Sequence, residues 1–247
     1  MISYDRWKKM TARYLQRYSF QHLLAWLLLY TVIGPFLQNL PHASRISSIS
    51  ISLMLMMAVY AIKTEDKLFK YILGLMILTL VLFWIDMLKL VSFPRIISRF
   101  IMAIYIFMLV FSFTKYVFAA RKVDSRLVSA ALCLYLLIGT LWGVMYDILQ
   151  IFVPGSFKGD LLSTSSAMLD PLQHFEYFSF VTLTTLGYGD ILPQTQEAAA
   201  LCQVEAIVGQ FFMAVLVARL VGIQVSQEFS GEKREDVKKK EKQYKQQ

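Results

Sequence analysis

Six apolar runs divide the chain, each close to the about 20 residues a helix needs to cross a bilayer core about 30 Å thick. They fall at about 20–38, 46–62, 70–91, 97–119, 127–152 and 199–225. In hydrocarbon a backbone must satisfy its own N–H and C=O groups, so each run predicts a helix. Composition agrees: 57% of residues are hydrophobic and 17% charged, where soluble domains average about 45–50% and about 25%. The expected fold is an all-α membrane protein with six transmembrane helices. The second run is short and carries several serines, and it is retained because its loss would break the alternation of charge between the two sides.

That alternation sets the topology. With the N-terminus in the cytoplasm, the inner segments hold Lys63, Lys67, Lys70, Lys115, Arg121, Lys122, Arg126 and the basic residues of both tails. The outer segments hold Arg45, Lys89, Arg95, Arg99 and Lys158. The bias is positive-inside and places both termini in the cytoplasm of a multi-pass protein of a cell membrane, plasma or inner. The net charge of +8 would suggest nucleic acid in a soluble domain. Here the basic residues flank apolar runs, so the lipid bilayer is the expected partner, with anionic headgroups attracting them, and no nucleic acid. The first run follows a charged start and ends at Gly34-Pro35 rather than a small-residue cleavage site, which predicts retention as a membrane helix. Cys133 and Cys202 lie inside apolar runs and form no metal or disulfide pattern. The expected domains are a cytoplasmic segment at 1–19, a four-helix membrane module at 20–126, a second membrane unit at 127–226, and a charged tail at 227–247, disordered or weakly helical.

The second unit holds an unusual segment, about 153–198, between the last two runs. It opens with Pro154-Gly155 and contains one apolar stretch, Leu172 to Leu183, too short to cross a bilayer. Asp170 suits the N-cap of a helix there and Pro171 its first position. A short re-entrant helix should therefore dip into the membrane and return as a strand, Thr184 to Asp190. Irregular backbone at that depth is tolerated where it is buried in protein or lines a water-filled path.

Thr184-Thr185-Leu186-Gly187-Tyr188-Gly189-Asp190 fits such a path. An ordinary strand points successive carbonyls to opposite sides. Glycine at alternate positions, Gly187 and Gly189, admits left-handed backbone angles at little steric cost. Successive carbonyls can then face one axis, and the Thr185 hydroxyl adds an oxygen at the inner end. Rings of such oxygens can replace the hydration shell of an ion. One chain supplies one strand, so four copies are needed to encircle the ion. The C-terminal end of the short helix, near Leu183, would add partial negative charge.

The motif Thr182-x-Thr184-Thr185-Leu186-Gly187-Tyr188-Gly189-Asp190 followed by Pro193 resembles the signature of the potassium-channel pore family, and the resemblance covers about 127–226. It implies a potassium-selective channel subunit, with K⁺ as the permeant ion, no organic cofactor, and three further copies of the chain completing a homotetramer. It implies that Thr185, Leu186, Gly187 and Tyr188 line the ion sites with Gly189 at the mouth. Thr184, Asp190 and Tyr177 would support the filter, with Asp190 accepting from the Tyr177 hydroxyl. Tyr188 would point away from the axis and brace the strand. Leu186 stands where the family most often has valine, which leaves its carbonyl unchanged. The alternative is a non-conducting or regulatory membrane subunit that keeps the filter fold. An enzyme is not expected: His22, His42 and His174 are scattered and no nucleophile–base pair is visible.

In the last run Gly209 matches the family's hinge glycine, and either a bend or close packing would require it. Ala214 and Ala218 would line a narrow inner entrance, and Arg219 would reach the inner interface. Glu205, an intramembrane carboxylate, is expected to bond the back of the re-entrant helix through Ser179 or Thr182. Gly139-x-x-x-Gly143 reads as a helix-packing face. The fourth run lacks the charge ladder of a voltage sensor: from Arg99 it reads Met102, Tyr105, Met108, Phe111, Thr114. Weak voltage dependence follows, since charge crossing the field is what couples opening to voltage. Asp86 is expected to pair with Arg95 or Arg99.

Overall fold

The structure, a computed structural model, describes residues 19–37, 43–62, 67–87, 95–163 and 171–244. Six helices of 19 residues or more are described: α1 (Ser19–Leu37), α2 (Ala43–Ile62), α3 (Lys67–Met87), α4 (Arg95–Ala119), α5 (Ser125–Phe152) and α8 (Gln196–Tyr244). Between α5 and α8 lie strand β1 (Phe157–Gly159), a single turn α6 (Asp160–Ser163), the short helix α7 (Leu172–Leu183) and strand β2 (Ile191–Pro193). Three helices, α4, α5 and the 196–229 part of α8, are long and apolar enough to cross a membrane. The first three helices contain shorter apolar segments, Ser19–Val32, Ser52–Ala61 and Phe69–Leu82.

Local chemistry explains the boundaries of α5. Asp124 has extended backbone angles and its side chain accepts from Leu127 N at 2.8 Å, which satisfies one of the unpaired amides of the first turn. At the other end Val153 N donates to Leu149 O at 2.8 Å, and Pro154 cannot continue the helix. Gly155 then takes φ 88°, a left-handed turn that suits a residue without a β-carbon.

Helix α5 is the hub, packing on α4, α1, α7 and α8. Its Leu127, Ala130, Ala131, Leu134 and Leu137 are buried in a core shared with Phe20, Leu23 and Leu27 of α1 and Ile106, Leu109 and Phe113 of α4. A second cluster of Tyr146, Phe157, Phe175 and Phe178 backs α7, with ring centroids 5.2 to 5.6 Å apart. Tyr105, a rung of the chargeless ladder on α4, donates to Leu55 O of α2 at 2.7 Å.

Other features refine the expectations. Helix α8 runs unbroken to Tyr244, so of the two forms expected for the charged tail it takes the helical one, as a continuation of the last helix. Strands β1 and β2 pair antiparallel, Phe157 opposite Pro193 and Gly159 opposite Ile191. Gly159 lies against Asp190 O, where no β-carbon could be placed. The expected N-cap Asp170 lies outside the described residues, but Pro171 does have helical angles (φ −54°, ψ −22°) and its carbonyl accepts from His174 N and Phe175 N.

Candidate permeation site

The site is built on the C-terminal end of α7. Thr184 N donates to Phe180 O at 3.0 Å, Thr185 N to Thr182 O at 2.9 Å, and Leu186 N and Gly187 N both to Val181 O, at 2.9 and 3.3 Å. Four consecutive amides thus turn back onto one helix end. The bonds engage the carbonyls of Phe180, Val181 and Thr182 and leave that of Leu183 outside the anchor.

Beyond this anchor the backbone is irregular rather than a paired strand. Thr185, Gly187 and Gly189 have φ of 59°, 59° and 77°, so left-handed angles recur at every second residue. The two glycines were legible in advance; Thr185 was not. A β-branched residue at positive φ is an outlier, costing about 1–3 kcal/mol, and such strain concentrates at functional sites. The four amide bonds hold it in place.

The far end is pinned by Asp190. Tyr177 Oη donates to its carboxylate at 2.6 Å, and Ile191 N donates to the other carboxylate oxygen at 3.1 Å. The Thr184 hydroxyl turns back to Phe180 O at 2.6 Å. Leu186 and Tyr188 are 54% and 67% exposed in the single chain. The expected bracing of Tyr188 is thus not supplied within the chain. Its ring lines a cavity of about 290 Å³ with Tyr30, Glu176, Tyr177 and Val181.

Behind α7, three helices meet at Glu205, which is buried and accepts from Ser179 of α7 and Tyr146 of α5. Ser179 also approaches Gly139 O at 2.7 Å, while the Thr182 hydroxyl bonds Phe178 O instead. Tyr146 gave no signal in the sequence beyond its aromatic character. Gly139 and Gly143 of α5 face α7: a β-carbon would strike the Phe180 ring at the first and lie 2.9 Å from Glu176 Cα at the second. Gly209 faces the Leu183 carbonyl, and α8 continues through it as one helix. Close packing is the requirement this geometry displays.

Two ties join this unit to the first four helices. Arg99 of α4 bonds Asp147 of α5 at 2.6 Å, both side chains buried. The expected partner was Asp86, whose side chain lies outside the described residues; Asp147 escaped notice because it sits alone in an apolar run. Tyr30 of α1 donates to Glu176 of α7 at 3.1 Å. Arg219 bonds Phe118 O and Ala120 O, at 2.5 and 3.1 Å, rather than projecting away from the protein. Those carbonyls end α4, where a cation is favoured. Among the described residues no cluster of three or more metal-ligating side chains occurs.

Residues 130–225 match the sequence family described as ion channel. No curated protein and no solved structure matches the chain. The match spans most of α5, all of α7, the 184–190 segment and most of the apolar part of α8. Together with three helices of crossing length the match supports an ion channel in a membrane, a protein of the transport type.

Proposed function

We propose that the chain is one subunit of a potassium-selective channel, and that Thr184–Asp190 is its selectivity filter. The observation that carries this is the left-handed backbone at Thr185, Gly187 and Gly189 in alternation, an alternation that can turn successive carbonyls toward one side. A narrow path lined by carbonyls of Thr185, Leu186, Gly187, Tyr188 and Gly189 can exchange a K⁺ hydration shell for protein oxygens. One chain lines one side of such a path and leaves Leu186 and Tyr188 exposed. Three further copies would close the ring and cover those side chains. The six long helices then span a cell membrane with both termini in the cytoplasm, by the positive-inside rule. The single tight contact of Gly209 favours packing over hinging as its role. Voltage is not the expected stimulus, because α4 lacks a charge ladder and Arg99 is already held by Asp147.

The test is ion flux from liposomes holding the purified full chain, with K⁺ and Na⁺ gradients compared. Selective K⁺ flux is expected. Gly187→Ala should abolish it, because alanine opposes the φ of 59° there. Equal flux of the two ions would keep a channel and reject selectivity; no flux from a well-folded assembly would favour a non-conducting subunit.

A further inference from the structure

Three threonine hydroxyls meet at the junction of α7 and the 184–190 segment, and they behave differently. Those of Thr182 and Thr184 turn back onto α7, bonding Phe178 O at 2.9 Å and Phe180 O at 2.6 Å. The hydroxyl of Thr185 instead accepts from Gln210 Nε2 of α8 at 3.2 Å. The left-handed backbone at Thr185 (φ 59°) carries its side chain off the line of the helix. Gly209 supplies the other half of the geometry. Its contact with the Leu183 carbonyl sets α8 against the end of α7, and the next residue reaches Thr185.

Gln210 is an exposed amide in the apolar part of α8, flanked by the exposed Phe211 and Met213. Facing hydrocarbon, its polar atoms would lack partners at a cost; facing a water-filled path, they keep them. Ala214 and Ala218, four and eight residues on, continue the same face of the helix and are also exposed. A hydroxyl offers two acceptor positions and one proton. The Gln210 amide uses one acceptor position, fixes the side-chain rotamer, and leaves the other for a partly dehydrated cation. The amide's own oxygen is a further acceptor beside it.

We propose that Gln210 is a specificity-determining residue of the permeation path, holding the Thr185 hydroxyl so that it serves the innermost cation site. The proposal rests on Thr184–Asp190 being the filter. Without Gln210 the Thr185 hydroxyl is free to turn back on the protein, as its two neighbours do, and the innermost site loses an oriented oxygen in every subunit.

The probe is Ba²⁺, a divalent ion close in size to K⁺, titrated against K⁺ current from the full chain in planar bilayers, with Ba²⁺ added to each face in turn. Gln210→Leu should weaken block from the inner face by about fivefold or more, the equivalent of one net hydrogen bond. Gln210→Glu should strengthen it by at least as much, since a carboxylate on the path attracts a divalent ion. Gln210→Asn keeps the amide but is one methylene shorter, and should weaken block as the leucine variant does; it serves if that variant fails to assemble. Block unchanged in all three, or shifted in one direction by Leu and Glu alike, would overturn the role of Gln210 while leaving a selective wild-type current intact. A wild type without K⁺-selective current would overturn the filter itself, and the inference with it.

Discussion

Helices α5 and α8 are closely matched in sequence terms and opposite in the fold. Both are long enough to cross a membrane and their apolar windows have equal mean hydropathy. Yet α5 buries 67% of that window and α8 only 11%. The difference lies in small residues and lone polar side chains. In α5, Gly143 admits the α7 backbone and Gly139 the Phe180 ring, while Tyr146 and Asp147 find partners on α8 and α4. Helix α8 grips the rest at Glu205, Gly209, Leu216 and Arg219 and leaves Phe211, Val215, Val217 and Val221 bare. Hydropathy selects the segments that enter a membrane; which face then packs on protein is decided by where backbones can approach and where buried polar groups can be satisfied.

The largest expected effect comes from breaking the polar anchor of the buried helix. Asp147→Ala leaves Arg99 buried without its carboxylate, and removing one partner of a buried pair costs about 3–5 kcal/mol. Thermal unfolding in detergent should register the loss, and Arg99→Met together with Asp147→Leu should recover much of it. A native-like melting profile for Asp147→Ala would show that the ion pair does not hold α4 to α5. A smaller effect tests the glycine contacts on both helices. Gly143→Ala and Gly209→Ala each push a methyl group against backbone of α7, for about 1–3 kcal/mol of overpacking, read in the same assay. If Gly209→Ala were neutral to stability yet altered opening in the bilayer recordings, hinging rather than packing would define it. The smallest effect is expected on the bare face. Val217→Ala, at a residue 52% exposed, should change the stability of the single chain by no more than about 0.5 kcal/mol. In the proposed tetramer its effect should appear in assembly instead, as a lower proportion of four-chain species by native mass spectrometry.

Much of the site was legible because its rules are local. Gly187 and Gly189 announce left-handed backbone wherever they fall in such a motif, and the length of Leu172–Leu183 announces a helix too short to cross. The six long helices follow from six apolar runs. Thr185 was not legible, because nothing local tells a β-branched residue to adopt positive φ; the amides anchored on Thr182 O and Val181 O impose it. Strands β1 and β2 are three residues each, too short to carry an alternating pattern. The sequence left the charged tail between disordered and weakly helical because a solvated stretch of lysine and glutamate gives no apolar face to count, though such residues are good helix formers.

By itself, the sequence determined which segments form the long helices and that the backbone between α7 and β2 can bend to the left at Gly187 and Gly189. Those choices depend on neighbours a few residues away, through steric limits on φ and the need to satisfy each backbone group within its own segment. Only the tertiary structure decided the rest of the partners: it chose Ser179 over Thr182 for Glu205 and added Tyr146, 26 and 59 residues away, and it joined Arg99 with Asp147 across 48 and Gln210 with Thr185 across 25. A buried polar group must be satisfied by some partner, but no local period says which. That is settled when small residues such as Gly143 and Gly209 let the helices close to contact.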